Sequence, residues 1–351
     1  LAGLSFDNNG GTTVPTVTLG AGTLTLNGDI SAISSNAGSV STLTSSGAGF
    51  LDLNGTTRNV NVAPVTINGN STVANVTPTL NIGSSTLVVT SSTNNGTTGI
   101  NKTGNGVLQL QGPNTFGGGV TLSAGGLAIG GNSNVTTRSA TTGVADAFVN
   151  GPLGTGSLIL GAAGTFLTSS GAFTVNNNLA LVGTNITLKG SNSLVLNGAA
   201  TLFGNTTVTV DVPQATLTLN GLIDDAGAGY GITKEGLGTL LLGSNNTFTG
   251  GVTVNAGTLT LAGINDGSTA PVFGGTSATI GNGGMLSLQN NGTGSLGLIS
   301  YANKVVVNGS LTSANLFVGN NGSNTGNTIV VPELTLNGGQ ILNVSSANSY
   351  L

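Results

Sequence analysis

Short apolar runs broken by glycine and asparagine set the pattern of this chain. Between Gly231 and Leu261 the sequence reads GITKEGLGTLLLGSNNTFTGGVTVNAGTLTL. One run covers Thr239, Leu240, Leu241 and Leu242, a second Val252, Thr253 and Val254, and a third Thr258, Leu259, Thr260 and Leu261. Runs this short, with apolar and polar positions alternating, are strand patterning. Gly243, Asn245, Asn246, Gly250, Gly251, Asn255 and Gly257 between them supply turns. No stretch places apolar residues at three and four spacing, and glycine, threonine, valine and asparagine are poor helix formers, so an all-β chain is expected.

The same stretch stands upstream from Gly99 to Ile129, GINKTGNGVLQLQGPNTFGGGVTLSAGGLAI, and aligns without a gap at an offset of 234 − 102 = 132. Lys102, Gly104, Gly106, Leu108 and Leu110 fall on Lys234, Gly236, Gly238, Leu240 and Leu242. Asn114, Phe116 and Gly118 fall on Asn246, Phe248 and Gly250, and Val120, Ala124, Gly125 and Leu127 on Val252, Ala256, Gly257 and Leu259. Identity holds at glycines and alternating apolar positions while the residues between them drift. Repeated backbone geometry around a repeated core requires that, with Leu108, Leu110, Leu240 and Leu242 facing inward. Both stretches closely resemble the autotransporter-associated β-strand repeat of bacterial passenger domains. Its pattern is K-x-G-x-G-x-L-x-L followed by N-T-[FY]-x-G-G-[VT]-T-[VIL]-x-x-G-x-L. The resemblance covers about thirty residues in each copy and is diffuse elsewhere. It implies a parallel β-helix, export and a role at the cell surface, and it names no ligand.

Weaker echoes extend the repeat. TLTLNGDI at Thr23 to Ile30 returns as TLTLNGLI at Thr216 to Ile223, and LTSSGAGFLDL at Leu43 to Leu53 mirrors ITKEGLGTLLL at Ile232 to Leu242 with Ser45 in the lysine place. PLGTGSLILG from Pro152 resembles VFGGTSATIG from Val272, and VNNNLALVG from Val175 echoes YANKVVVNG from Tyr301. LDLNG at Leu51 returns as LVLNG at Leu194. The expected organisation is one continuous β-solenoid over 1–351, a single elongated rod wound as a right-handed parallel β-helix. It comprises a degraded repeat at 1–55 and repeat units at about 51–193 and 194–351. Residues 132–150, Asn132 to Asn150, are polar without clear alternation and read as a protruding loop. Stacking suits this composition. With three Tyr and no Trp the chain cannot fill a sandwich core with large side chains, whereas stacked rungs line up Leu, Val and Ile and satisfy the backbone.

Charge sharpens the picture. Among 351 residues only 5% are charged and 61 are Gly, yet 37% are hydrophobic, so burial rather than charge-solubilised disorder is indicated. The six basic residues (Arg58, Lys102, Arg138, Lys189, Lys234, Lys304) are scattered singly in a chain of net charge −4, which leaves no stripe for nucleic acid. Leu1 opens without a charged-then-apolar leader, so any signal peptide is expected to have been removed. No apolar run reaches the ~18 residues of a membrane helix, so no membrane insertion is expected. An extracellular or cell-surface location follows from the resemblance.

Candidate chemistry is thin. With no His and no Cys, the closest carboxylates are Asp224 and Asp225, with Asp211 and Glu235 further off. A polysaccharide lyase or glycosidase would need Asp224, Asp225 and Lys234 to act together. Two turn aspartates are the expected reading, so no enzyme, metal or cofactor is assigned. Phe116 and Phe248 read as buried corner plugs, the alternative being a ligand shelf. Lys102 and Lys234 read as solvated turn lysines, the alternatives being an inter-rung contact or a cationic ligand point. The triplets at Thr207 to Thr209, Thr216 to Thr218 and Thr258 to Thr260 are scattered, which argues against a flat ice-binding array on consecutive rungs. Strand pattern is already present at Leu4 to Phe6 and persists through Leu334 to Val344, with Glu333 the nearest charge to the latter. Open sheet edges template pairing, and a head-to-tail contact does not close. The expected partner is therefore the chain itself, in a filament. The alternative is an adhesin fragment that binds host or matrix polymers.

Overall fold

The computed structural model describes residues 1–10, 13–36, 39–67, 70–71, 76–136, 147–183, 185–262, 274–275, 277–281, 283–292, 294–308, 313–337 and 339–351. All regular elements among them are strands, none longer than the six residues of Ala314–Gly319. The chain divides into two compact units, Leu1–Ala180 and Leu181–Leu351. Each is a parallel β-solenoid.

In the first unit, Leu4–Asn8, Ile30–Ser34, Arg58–Val62, Ile100–Thr103, Val120–Leu122 and Leu158–Leu160 pair in parallel, each with the next. Thr16–Leu19, Ser41–Ser45, Leu80–Ile82, Val107–Leu110, Gly126–Ile129 and Phe166–Ser169 form a second such stack. Thr23–Thr25, Gly49–Asp52 and Leu87–Thr90 form a third. In the second unit one stack runs through Asn185–Leu188, Thr206–Val210, Ile232–Glu235, Val252–Val254, Ser277–Ile280, Lys304–Val307 and Leu334–Leu336. Another runs through Leu194–Leu196, Thr216–Leu219, Thr239–Leu242, Thr258–Ala262, Met285–Gln289, Ala314–Gly319 and Leu342–Ser346.

Alternation along each strand becomes a column across the stack. Leu194, Leu217, Leu240, Leu259, Leu286 and Leu316 lie one above the other, and so do Leu196, Leu219, Leu242, Leu261, Leu288 and Val318. All are buried. In the first unit Leu108 and Leu110 occupy the same kind of column between Leu80 and Leu127 and between Ile82 and Ile129. Each buried leucine contributes roughly 1.5–3 kcal/mol, and the strand spacing of ~4.8 Å keeps every layer in contact with the next.

Turn length varies, and the repeat signature marks its minimum. Ile100 pairs with Val120 and Ile232 with Val252, so each signature turn takes 20 residues. Other turns are longer: Leu4 to Ile30 is 26, Val120 to Leu158 is 38 and Arg58 to Ile100 is 42. Glycine makes the short turn possible. Gly104 and Gly236 hold φ of 72° and 75°, in the left-handed region, and a Cβ on either would stand 2.4 Å from a carbonyl oxygen of the rung before, Val62 or Val210.

Register across the stack adds two details to the sequence reading. Within 132–150, Asn134–Thr136 pairs antiparallel with Ala147–Asn150, so the two ends of the expected loop are strands, while 137–146 lie outside the described residues. The three threonine triplets do stand apart, Thr207 and Thr209 in one stack and Thr218 and Thr260 in the other with Leu241 between them, but a different threonine column forms. Thr207, Thr233, Thr253 and Thr279 stand side by side on four consecutive rungs, because turns of 26, 20 and 26 residues return the chain to the same outward column.

Candidate functional site

The signature residues converge on the corners of the two short turns. Lys102 and Lys234 alternate with outward residues on Ile100–Thr103 and Ile232–Glu235, which points their side chains inward, and both are 0% exposed. This corrects the expectation of solvated turn lysines. Lys102 Nζ donates to the carbonyls of Thr103 (2.9 Å), Gly104 (2.7 Å) and, one rung on, Ala124 (3.0 Å). Lys234 Nζ donates to Glu235, Gly236 (2.7 Å) and Ala256 (3.2 Å). An ammonium has three donors, so each lysine is fully used in tying its own corner to the next. Burial pushes Lys102 down to about 7 and Lys234 down to about 8, the latter held up by the charge of Glu235.

Asn114 spans three rungs. Its Oδ1 accepts from Val89 N–H of the rung before (2.8 Å), and its Nδ2 donates to Gln111 and to Pro152 of the rung after (2.9 Å). Asn246 repeats the pattern with Ile223 N–H (2.9 Å) and the Ser244 carbonyl (3.0 Å). Phe116 and Phe248 are buried in the corner beside them. Gly154 and Gly274 lie against the rings: a Cβ there would stand 2.7 Å from Phe116 and 2.2 Å from Phe248. Gly106 and Gly238 pass equally close to the carbonyls of Ala63 and Val212, Gly118 to Thr97 and Gly250 to Tyr230. Asn177 then donates to the carbonyls of Gly154 and Gly156, and Asn303 to those of Gly274 and Gly275. Glycine 154 matching 274 and asparagine 177 matching 303 were visible in the weaker echoes, but their partnership with the phenylalanine corner was not.

The capping principle extends to the degraded repeat and to the strand that follows it, with other side chains. Ser45, in the lysine place, donates to Gly47, and Arg58 is buried and donates to the carbonyls of Leu53 (3.0 Å) and Leu26 (2.6 Å). Sequence reading passed over Arg58 because no second copy marks it.

The carboxylates serve a turn. Asp225 accepts from Gly227 N–H (3.0 Å), Tyr230 N–H (2.8 Å) and the Thr249 hydroxyl (2.8 Å). Burial works to raise its pKa, and these hydrogen bonds outweigh it and hold the carboxyl down at about 2. Asp224 accepts from the Thr247 hydroxyl (3.0 Å) and from Ala226 N–H (3.2 Å). Lys234 bonds to backbone carbonyls, not to either of them. Among the described residues no three His, Cys, Asp or Glu side chains gather around a metal-sized space.

Residues 100–129 and 232–269 match the passenger-associated-transport-repeat family model, the same two stretches whose lysines, asparagines and phenylalanines build these corners. Both carry an autotransporter passenger repeat. Neither a curated protein nor a solved structure matches the chain. The passenger repeat thus appears here as a minimal solenoid turn whose buried cation caps the corner carbonyls of two rungs.

Proposed function

We propose that this chain is a structural segment of an exported passenger displayed outside the cell, acting as a scaffold without catalysis. What carries the reading is the direction of the signature: its lysines, asparagines and phenylalanines point inward and bind rung to rung, leaving none of them for a substrate. Right-handed winding and continuity of one solenoid over 1–351 belong to the same proposal. Its finer part is self-assembly. Leu334, Leu336 and Val344 continue the columns of buried Val305, Val307 and Leu316, yet are 47%, 49% and 63% exposed. Another rung of the same kind fits over them, and where a second copy supplies it a head-to-tail filament results. Electron microscopy of the purified chain at rising concentration tests this. Filaments abolished by Leu336→Asp support it, and a monodisperse chain at every concentration removes the filament.

A second reading, adhesion to host or matrix polymers, is favoured by the antiparallel pair of Asn134–Thr136 and Ala147–Asn150, where Val135 and Val149 are exposed. Exchanging both for Ser should weaken adherence to matrix-coated surfaces if this strand pair makes the contact. Unchanged adherence removes that role.

A further inference from the structure

The second unit carries an outward feature that the scaffold does not use. Thr207, Thr233, Thr253 and Thr279 occupy one column on four adjacent strands, three strand spacings or roughly 14 Å long. Beside it the column reads Asn205, Gly231, Gly251 and Ser277, and the two glycines leave a trough of about 300 Å³ walled by Thr233, Thr253 and Thr279. The trough is built into the backbone, because a Cβ on Gly231 would stand 2.5 Å from the Gly251 carbonyl and one on Gly251 2.8 Å from that of Ser277. Among the described residues no charged side chain lines it.

Several outward asparagines and serines elsewhere bond along their own columns. Asn101 donates to Asn59 (2.9 Å), Ser123 to Asn101 (2.6 Å) and Asn220 to Asn197 (3.2 Å). Among the described residues the four threonine hydroxyls have no hydrogen-bond partner in the protein, and all four side chains are half-buried. Each hydroxyl can donate one bond and accept two. A row of such groups at a fixed spacing, next to an uncharged groove, suits a ligand that is itself extended, neutral and regularly hydroxylated. We propose that this trough binds a neutral, linear polysaccharide chain lying across the rungs, its hydroxyls bonded to Thr207, Thr233, Thr253 and Thr279.

The test measures binding of cellohexaose and chitohexaose to the monomeric chain by titration calorimetry, with polygalacturonate as the charged control. Comparison is with Thr233→Val/Thr253→Val, which removes two hydroxyls and keeps the branched, strand-forming side chains. A neutral oligosaccharide should bind, and the double variant should lose at least tenfold in affinity with an unchanged circular dichroism spectrum and melting temperature. Absence of binding by either neutral probe, equal binding by the variant, or preference for polygalacturonate would overturn the proposal. Ice-crystal shaping by the wild type that disappears in the double variant would also overturn it, because it assigns the ladder to a water lattice. The readout is taken on monomer, so it is separable from filament formation.

Discussion

The two signature copies share an interior and differ outside it. Lys102 and Lys234 cap equivalent carbonyls, Asn114 and Asn246 take equivalent N–H groups, and Phe116 and Phe248 meet equivalent glycines. Outward, Thr103 is replaced by Glu235, whose carboxylate accepts from Asn255 (2.7 Å), while in the first copy Ser123 bonds Asn101. Asn105 is replaced by Leu237, which is exposed. What is conserved between the copies is therefore the set of groups that closes a 20-residue turn, and what drifts is the surface presented to solvent.

The largest expected effect comes from breaking the shared interior outright. Leu240→Asp places an unpaired carboxylate in the leucine column, at a penalty of several kcal/mol, and Leu108→Asp should do the same in the first unit. Circular dichroism should show loss of strand signal. A soluble variant melting like the wild type would show that the column does not face inward.

Next in size is the aromatic corner. Phe248→Ala and Phe116→Ala should each cost about 3–5 kcal/mol in denaturant unfolding, the usual penalty for emptying an aromatic site. Gly274→Ala and Gly154→Ala should also destabilise, because the new methyl meets the ring and both glycines have positive φ, 87° and 69°. Neutral glycine variants would mean that the ring is free to move aside.

Smaller is the lysine cap. Lys234→Met keeps an unbranched chain in place but leaves buried carbonyls without a donor, a loss of about 1–3 kcal/mol, and Lys102→Met should match it. The two copies separate in their response to pH. A lysine whose folded pKa is depressed binds its proton more weakly folded than unfolded, so stability rises as pH rises from the folded value towards the ordinary 10.5. The gain should begin near pH 7 for Lys102 and near pH 8 for Lys234, where Glu235 opposes the burial effect. Melting temperatures of the two Met variants between pH 6 and 10 check this: each variant should lose its own part of the rise. A profile identical to the wild type in both would show that three carbonyls hold the ammonium as well as water does.

Smallest is the outward turn. Asp225→Ala removes the acceptor of three hydrogen bonds and should lower the melting temperature, most visibly above the depressed pKa of about 2, while Asp224→Ala should change little. Equal effects from both would erase the distinction between them. The sequence reading treated these two residues alike, because adjacent aspartates in a turn look the same until the Thr249 hydroxyl and the Tyr230 N–H are seen on one side only.

Strand content, parallel stacking and the inward leucines were legible because period-2 patterning and a gapless repeat report directly on a stacked core. The lysines were misread for a physical reason. A lone Lys between glycines is most cheaply solvated, and its burial depends on three carbonyls that exist only once two glycine corners stack. The threonine column was missed for a related reason: triplets were sought along the sequence, whereas the column forms across turns of 26 and 20 residues.

Competitive acylation of lysine in the native chain, read by mass spectrometry at neutral pH, tests the central claim most directly. Lys189 and Lys304 are half-buried, whereas Lys102 and Lys234 are enclosed by corner carbonyls. The account predicts rapid labelling of Lys189 and Lys304, with Lys102 and Lys234 unlabelled until denaturant unfolds the chain. Labelling of Lys102 and Lys234 in the folded protein at the rate of the other two would contradict it.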